Sequence, residues 1–178
     1  DQDIILSTKF GKCIRFMSKK LRIFKGRSSK GIRGINLKEN DSIVSLSIVD
    51  HVEVNGNSKN GKDKSAELKA KQKYILSITE NGYGKRTVSE VFRKTKRGAK
   101  GVIAMSTSER NGQLIGAAQV SNEDQVMLIT NKGMLVRTKV SEISLIGRNT
   151  QGVTVIKLKE GEKLISLAPI DDAFLDDS

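Results

Sequence analysis

Apolar and polar positions alternate along the 178 residues in a pattern that occurs three times. Each copy opens on a short apolar run, at Ile5-Leu6, Ile75-Leu76 and Met127-Leu128. A glycine follows at Gly11, Gly82 and Gly133, then a basic position at Arg15, Arg86-Thr87 and Arg137-Thr138. A glycine-containing basic turn comes next: Gly26-Arg27-Ser28-Ser29-Lys30-Gly31, Lys96-Arg97-Gly98-Ala99-Lys100-Gly101 and Gly147-Arg148-Asn149-Thr150-Gln151-Gly152. A second apolar run closes each copy at Ile43-Val44, Leu114-Ile115 and Leu164-Ile165. These landmarks advance by 50 to 52 residues from the second copy to the third, and by 70 or 71 from the first to the second. The excess falls in a polar stretch at about 51–71. Short strands at a period near 50 residues are the mark of a propeller-type array.

Within each copy, period-2 patterning predicts about four short strands. In the first these are Asp3–Thr8, Lys12–Met17, Gly31–Leu37 and Ser42–Val49; in the second, Lys73–Thr79, Gly84–Val88, Gly101–Ser106 and Gln113–Val120. The third gives Gln125–Thr130, Met134–Lys139, Val153–Lys159 and Lys163–Pro169, its first pair joined by the turn Asn131-Lys132-Gly133. Val88–Phe92 and Val140–Ile143 are each long enough for one helical turn, and longer helical periodicity is absent. The expected fold is all-β: a β-pinwheel, propeller-like, of four-stranded blades at 1–50, 72–121 and 122–172. The stretch 51–71 should be a flexible polar insert, since Asn55–Ser65 has no large apolar residue to offset its ordering entropy. Residues 173–178 should form an acidic tail stub. Closed propellers use about four to eight blades, so three repeats should make an open arc, pair with a second copy, or belong to a longer array. The chain also enters a strand pattern at once, without an initiating methionine, which suggests a piece of a longer protein.

Composition fits many thin cores better than one deep one: 37% of residues are hydrophobic and 4% aromatic. The net charge of +12 is unevenly placed, at +6 over residues 1–50, +2 over 51–71, +6 over 72–121 and −2 over 122–178. Such an excess favours a polyanionic partner. Cys13 is the only cysteine, so neither an internal disulfide nor a cysteine zinc cluster can form, and a reduced thiol in the cytoplasm is expected. No apolar run approaches the roughly 20 residues of a membrane helix. Catalytic readings lack parts. His51 is the only histidine and has no paired nucleophile, no phosphate-loop motif occurs, and no carboxylate pair suits acid–base work. No cofactor is expected in this chain.

The basic turns carry the functional reading. Glycine lets the backbone approach a surface, while intervening Arg and Lys present charge. Lys96, Arg97 and Lys100 form the densest set, followed by Arg27 and Lys30, with Arg148 in the third turn; Lys85, Arg86 and Arg137 lie on the strands beside them. Placed on one rim, these side chains make a curved basic stripe that contacts phosphates without reading bases. The few aromatic residues disfavour single-strand binding by stacking, so bent duplex DNA is the expected ligand.

Glu80-Asn81-Gly82-Tyr83-Gly84-Lys85-Arg86-Thr87 and the run Val140–Val153 closely resemble the C-terminal domain of bacterial DNA gyrase A. The resemblance covers all three repeats, most specifically from about Lys73 to Asp171. It implies a six-bladed β-pinwheel with strands exchanged between neighbouring blades, of which this chain looks like the last three. It also implies a perimeter that wraps double-stranded DNA in support of negative supercoiling. The family's first-blade box, Gln-Arg-Arg-Gly-Gly-Lys-Gly, has no intact copy here. Thr95–Gly101 matches its second arginine, first glycine, lysine and last glycine. ATP and magnesium are implied only for the parent enzyme, and the rest of gyrase A together with gyrase B as its partners. Two alternatives stand beside this reading. One is the related C-terminal domain of topoisomerase IV. The other is a propeller-like protein-interaction scaffold whose basic rim serves solubility, which predicts no loss on neutralising Arg97 and Lys100. Self-association of open blade edges is a further expectation.

Overall fold

The computed structural model describes residues 2–50 and 72–170. The flexible insert expected at 51–71 and the acidic tail expected at 173–178 lie outside the described residues. Eleven strands follow in chain order: β1 Gln2–Thr8, β2 Lys12–Met17, β3 Ile43–Asp50, β4 Tyr74–Thr79, β5 Tyr83–Val88, β6 Val102–Ile103, β7 Leu114–Val120, β8 Gln125–Thr130, β9 Leu135–Lys139, β10 Val153–Thr154 and β11 Leu164–Ile170. They form three antiparallel sheets in the orders β3-β1-β2-β6, β10-β5-β4-β7 and β11-β8-β9. One single-turn 3₁₀ helix follows the hairpin of each repeat, at Ser18–Lys20, Ser89–Val91 and Val140–Glu142. Two of these coincide with the predicted helical turns.

The sheet orders show strand exchange. β6 belongs to the second repeat in sequence but pairs with β2 of the first, Lys12 opposite Ile103 and Cys13 opposite Val102. β10 of the third repeat pairs with β5 of the second, Val153 opposite Gly84. Each donated strand covers two residues rather than the six or seven that alternation predicts. The ladder stops because the chain turns onto a single carbonyl. Ala104 N and Met105 N both donate to Gly11 O, and Val155 N and Ile156 N both donate to Gly82 O. The expected strand Gly31–Leu37 is likewise absent, since its place in the repeat is that of a donated strand and no preceding blade stands among the described residues to receive it. Among the described residues the third sheet has three strands, with the outer edge of β9 unpaired.

Exchange dictates two glycines. Gly11 and Gly82 end their hairpin turns at φ +76° and +83°, and a Cβ on either would lie 1.9 Å from Met105 O or 2.4 Å from Ile156 O of the next repeat. Only a residue without a side chain admits both the backbone angle and that approach.

Apolar cores lie between blades rather than within one centre. Ile5, Cys13, Val49, Ile75, Phe92, Ala104 and Ala117 join the first repeat to the second. Tyr74, Leu76, Ile78, Val120, Val126, Leu128, Val140, Ile143 and Leu164 join the second to the third. Burying one such side chain contributes about 1.5–3 kcal/mol, so each junction depends on a handful of residues. β3 packs on β7 and β7 on β11, which puts these strands on the inner side of the arc. β6 and β10 terminate the sheets opposite and mark the perimeter.

Candidate nucleic-acid interface

The turns 96–101 and 147–152 run directly into the perimeter strands β6 and β10, so strand exchange delivers them to the outer edge of the preceding blade. They dock by the same main-chain contacts. Thr95 N donates to Arg15 O at 2.8 Å and Ile146 N to Arg86 O at 3.0 Å, with parallel bridges Arg15–Lys94 and Arg86–Leu145. A repeated sequence therefore produces a repeated surface.

Lys96, Arg97 and Lys100 are exposed at the first of these turns, and Arg27 and Lys30 are exposed on the turn 26–31, which no blade among the described residues receives. Arg97 keeps one end anchored, its Nη1 donating to Arg33 O at 2.8 Å. Arg148 is half-buried and makes the matching bond from Nη1 to Ile103 O. Exposed Lys19, Lys20, Arg22, Lys25, Arg33, Arg93 and Lys94 flank the turns 26–31 and 96–101 in sequence and add to the exposed positive charge. Sequence alone did not single them out, although their signal is present in the segments leading into each turn.

Lys85 and Arg86 occupy a different environment from that expected. Lys85 is 0% exposed, and its ammonium donates to Gly147 O at 2.9 Å, to Thr150 O at 3.1 Å, to Thr150 Oγ1 at 2.9 Å and to Arg148 O. Burial, aided by the charge of Arg148, pushes its pKa down to about 8. Arg86 is 9% exposed and reaches the third repeat, donating from Nε to Ile143 O at 2.6 Å, from Nη1 to Asn122 Oδ1 at 2.7 Å and from Nη2 to Ser141 O at 3.3 Å. Arg15 does the equivalent work one repeat earlier. Its Nε meets Asp3 Oδ2 at 2.8 Å and its Nη1 donates to Ser89 O at 3.0 Å. Arg15 and Arg86 thus staple each blade to the 3₁₀ turn of the next. Arg137, third in the series, is exposed on β9 and donates from Nε to Gln125 Oε1 within its own sheet. In the sequence these strand cations stand beside the turn cations, and burial separates the two sets.

Cys13 is buried on β2, and burial pushes its thiol up to about 12, so it is held as the thiol. Among the described residues there is no cluster of three or more His, Cys, Asp or Glu side chains able to hold a metal, and no helix is long and apolar enough to cross a membrane.

The fold and perimeter define an array of strand-exchanging propeller blades with a basic outer edge. The family model for the DNA gyrase C-terminal domain, beta-propeller, matches residues 2–50, 73–121 and 124–171, one match per repeat, and the chain belongs to that family. It is 40% identical over 178 residues to the DNA gyrase A protein of Salmonella typhimurium, covering 98% of this chain and 18% of that protein. Against the Escherichia coli protein it is 39% identical over 180 residues, covering 99% and 18%. Against that of Rickettsia bellii it is 34% identical over 201 residues, covering 97% and 22%. The chain thus spans about a fifth of the length of the curated relatives it matches. A solved DNA gyrase A C-terminal domain superposes with a TM-score of 0.77 at 27% identity, over 96% of this chain and 51% of that one. The C-terminal domain of DNA topoisomerase IV shares the fold at the same TM-score of 0.77 and 24% identity, over 96% of this chain and 47% of that one.

Proposed function

We propose that this chain is a non-catalytic module of DNA gyrase A that binds and bends double-stranded DNA around its perimeter. In this reading it supports negative supercoiling by the parent type II topoisomerase in the bacterial cytoplasm. The observation that carries the reading is the delivery of equivalent basic turns to the outer edge of successive blades, where Lys96, Arg97 and Lys100 stand exposed. Arg27, Lys30 and Arg148 complete the contact set. Arg137 joins it from β9. Lys85 and Arg86 act from within, shaping the turn and the blade junction that present the others. Nucleotide and magnesium belong to other parts of the parent, and its other partners are the remainder of gyrase A and gyrase B. Identity to gyrase A proteins favours gyrase over topoisomerase IV, for which the likeness is one of fold. The unpaired edge of β9 is where a second copy would attach if the isolated chain self-associates.

The energetics are adequate. Bending 20–30 base pairs through 40–90° costs about 1–6 kcal/mol, and roughly six phosphate contacts give a salt slope near −5. The test is duplex binding across a salt series for the wild type and for Lys96→Ala/Arg97→Ala/Lys100→Ala. Losing three contacts should flatten the slope by about 2.7 and weaken binding at low salt. An unchanged slope would favour the scaffold reading, in which the basic rim serves solubility.

A further inference from the structure

The two blade junctions use equivalent positions but close with different chemistry. Counted from Gly11 and Gly82, Ile14 on β2 and Lys85 on β5 hold the same place; counted along the turns, so do Ala99 and Thr150. The surrounding contacts coincide. Arg97 donates to Arg33 O and Arg148 to Ile103 O, while Asn36 N donates to Ala99 O at 3.0 Å and Ser106 N to Thr150 O at 2.9 Å. Ile14, 1% exposed, belongs to an apolar cluster on which Ala99 packs. Lys85, 0% exposed, instead directs its ammonium at three carbonyls and the hydroxyl of the 147–150 turn.

A buried ammonium is costly unless its protons are satisfied, and the half-buried Thr150 hydroxyl, which donates to Gly147 O at 2.9 Å, loses the donor to its own oxygen when hydrocarbon replaces that ammonium. An Ile14-type blade would leave Thr150 without its donor. A Lys85-type blade facing an Ala99-type turn would lose an acceptor. We propose that Lys85 and Thr150 are a register lock: Lys85 is a positioning residue that admits the third repeat's turn, holds it in one geometry, and discriminates it from the second repeat's turn. Buried polar pairs that fix register at some cost in stability are well precedented. The lock also fixes the main chain of Gly147 and Arg148, and its consequence for DNA rests on the function proposed above.

The test compares wild type, Lys85→Ile, Thr150→Ala and the double variant, which imports the pairing of the first junction. Amide hydrogen exchange is followed at residues 147–152. Lys85→Ile should speed exchange there roughly tenfold or more, because it sets hydrocarbon against the Thr150 hydroxyl, a mismatch that Thr150→Ala removes; the turn of the first junction closes on Ile14 and Ala99 without a lysine. The double variant should return to within about threefold of wild type, the rescue expected of a coupled pair. Exchange as fast in the double variant as in Lys85→Ile overturns the lock, because a merely structural lysine would show no rescue. Should Lys85→Ile alone not fold, recovery of a cooperative melt in the double variant supports the lock, and failure to recover overturns it. The exchange measurement needs no DNA. Failure of the DNA reading therefore leaves it standing, and a failed rescue overturns the lock even where the rim binds DNA.

Discussion

Replacing Arg86 tests whether the strand arginines are staples or DNA contacts. Its guanidinium donates to Ile143 O, Asn122 Oδ1 and Ser141 O, and lies 5.1 Å from the Tyr74 ring centroid. Arg86→Met leaves all three acceptors without that donor. Ser141 and Asn122 are exposed, so water can replace most of what they lose; Ile143 is 3% exposed and its carbonyl bears the main penalty. A charged hydrogen bond is worth about 1.5–3 kcal/mol, two solvent-rescued ones about 1 kcal/mol together, and the ring contact about 0.5–1 kcal/mol. The sum is a loss of about 3–5 kcal/mol, concentrated at the junction of the second and third repeats. Arg86→Lys keeps the charge but loses the planar fork, and should still cost about 2 kcal/mol. Urea unfolding followed by circular dichroism measures both variants. A phosphate contact would tolerate lysine and leave stability within about 0.5 kcal/mol. That result for Arg86→Lys, with Arg86→Met below about 1 kcal/mol, would refute the staple.

Three further outcomes follow from the packing. Gly11→Ala drives a Cβ to 1.9 Å from Met105 O at φ +76°, whereas Gly133 has nothing within 4 Å at φ +78°. Thermal melts should therefore show Gly133→Ala losing only the roughly 1–2 kcal/mol of left-handed strain, and Gly11→Ala losing clearly more or failing to fold. The pKa of Lys85 is lowered to about 8 in the folded chain, so the unfolded chain binds more protons between pH 8 and its ordinary value of 10.5. This group's contribution to stability must then rise across that window, and Lys85→Met should reduce the rise in denaturation midpoints measured from pH 7.5 to 10.5. Cys13, 1% exposed with its thiol pushed up to about 12, should resist alkylation at pH 8 in the native chain and react readily in denaturant, as mass spectrometry would record.

The basic turns were legible as candidate contacts because charge and glycine recur at a fixed place in the repeat. Their fate was not. Arg86 and Arg97 are both arginines beside glycine-containing turns, yet one is 9% exposed and the other open to solvent. Alternation along β5 places Lys85 and Arg86 on opposite faces, and both faces are covered by the incoming third repeat. Only Ile14 and Val136, at the places equivalent to Lys85, hinted that a lysine there lies in an apolar row.

The period of about 50 residues, the hairpins β1–β2, β4–β5 and β8–β9, and the surplus of positive charge were settled by local pattern. Strand alternation and turn glycines depend on neighbours a few residues away, so the sequence expresses them directly. The exchange of β6 and β10, their shortening to two residues, and the loss of a strand at 31–37 were decided by tertiary structure. A donated strand exists only where another blade offers an edge, and its length is set by where the acceptor's carbonyl ends the ladder. The same contact between repeats determines which cations are buried as staples and which are left on the perimeter to meet a partner.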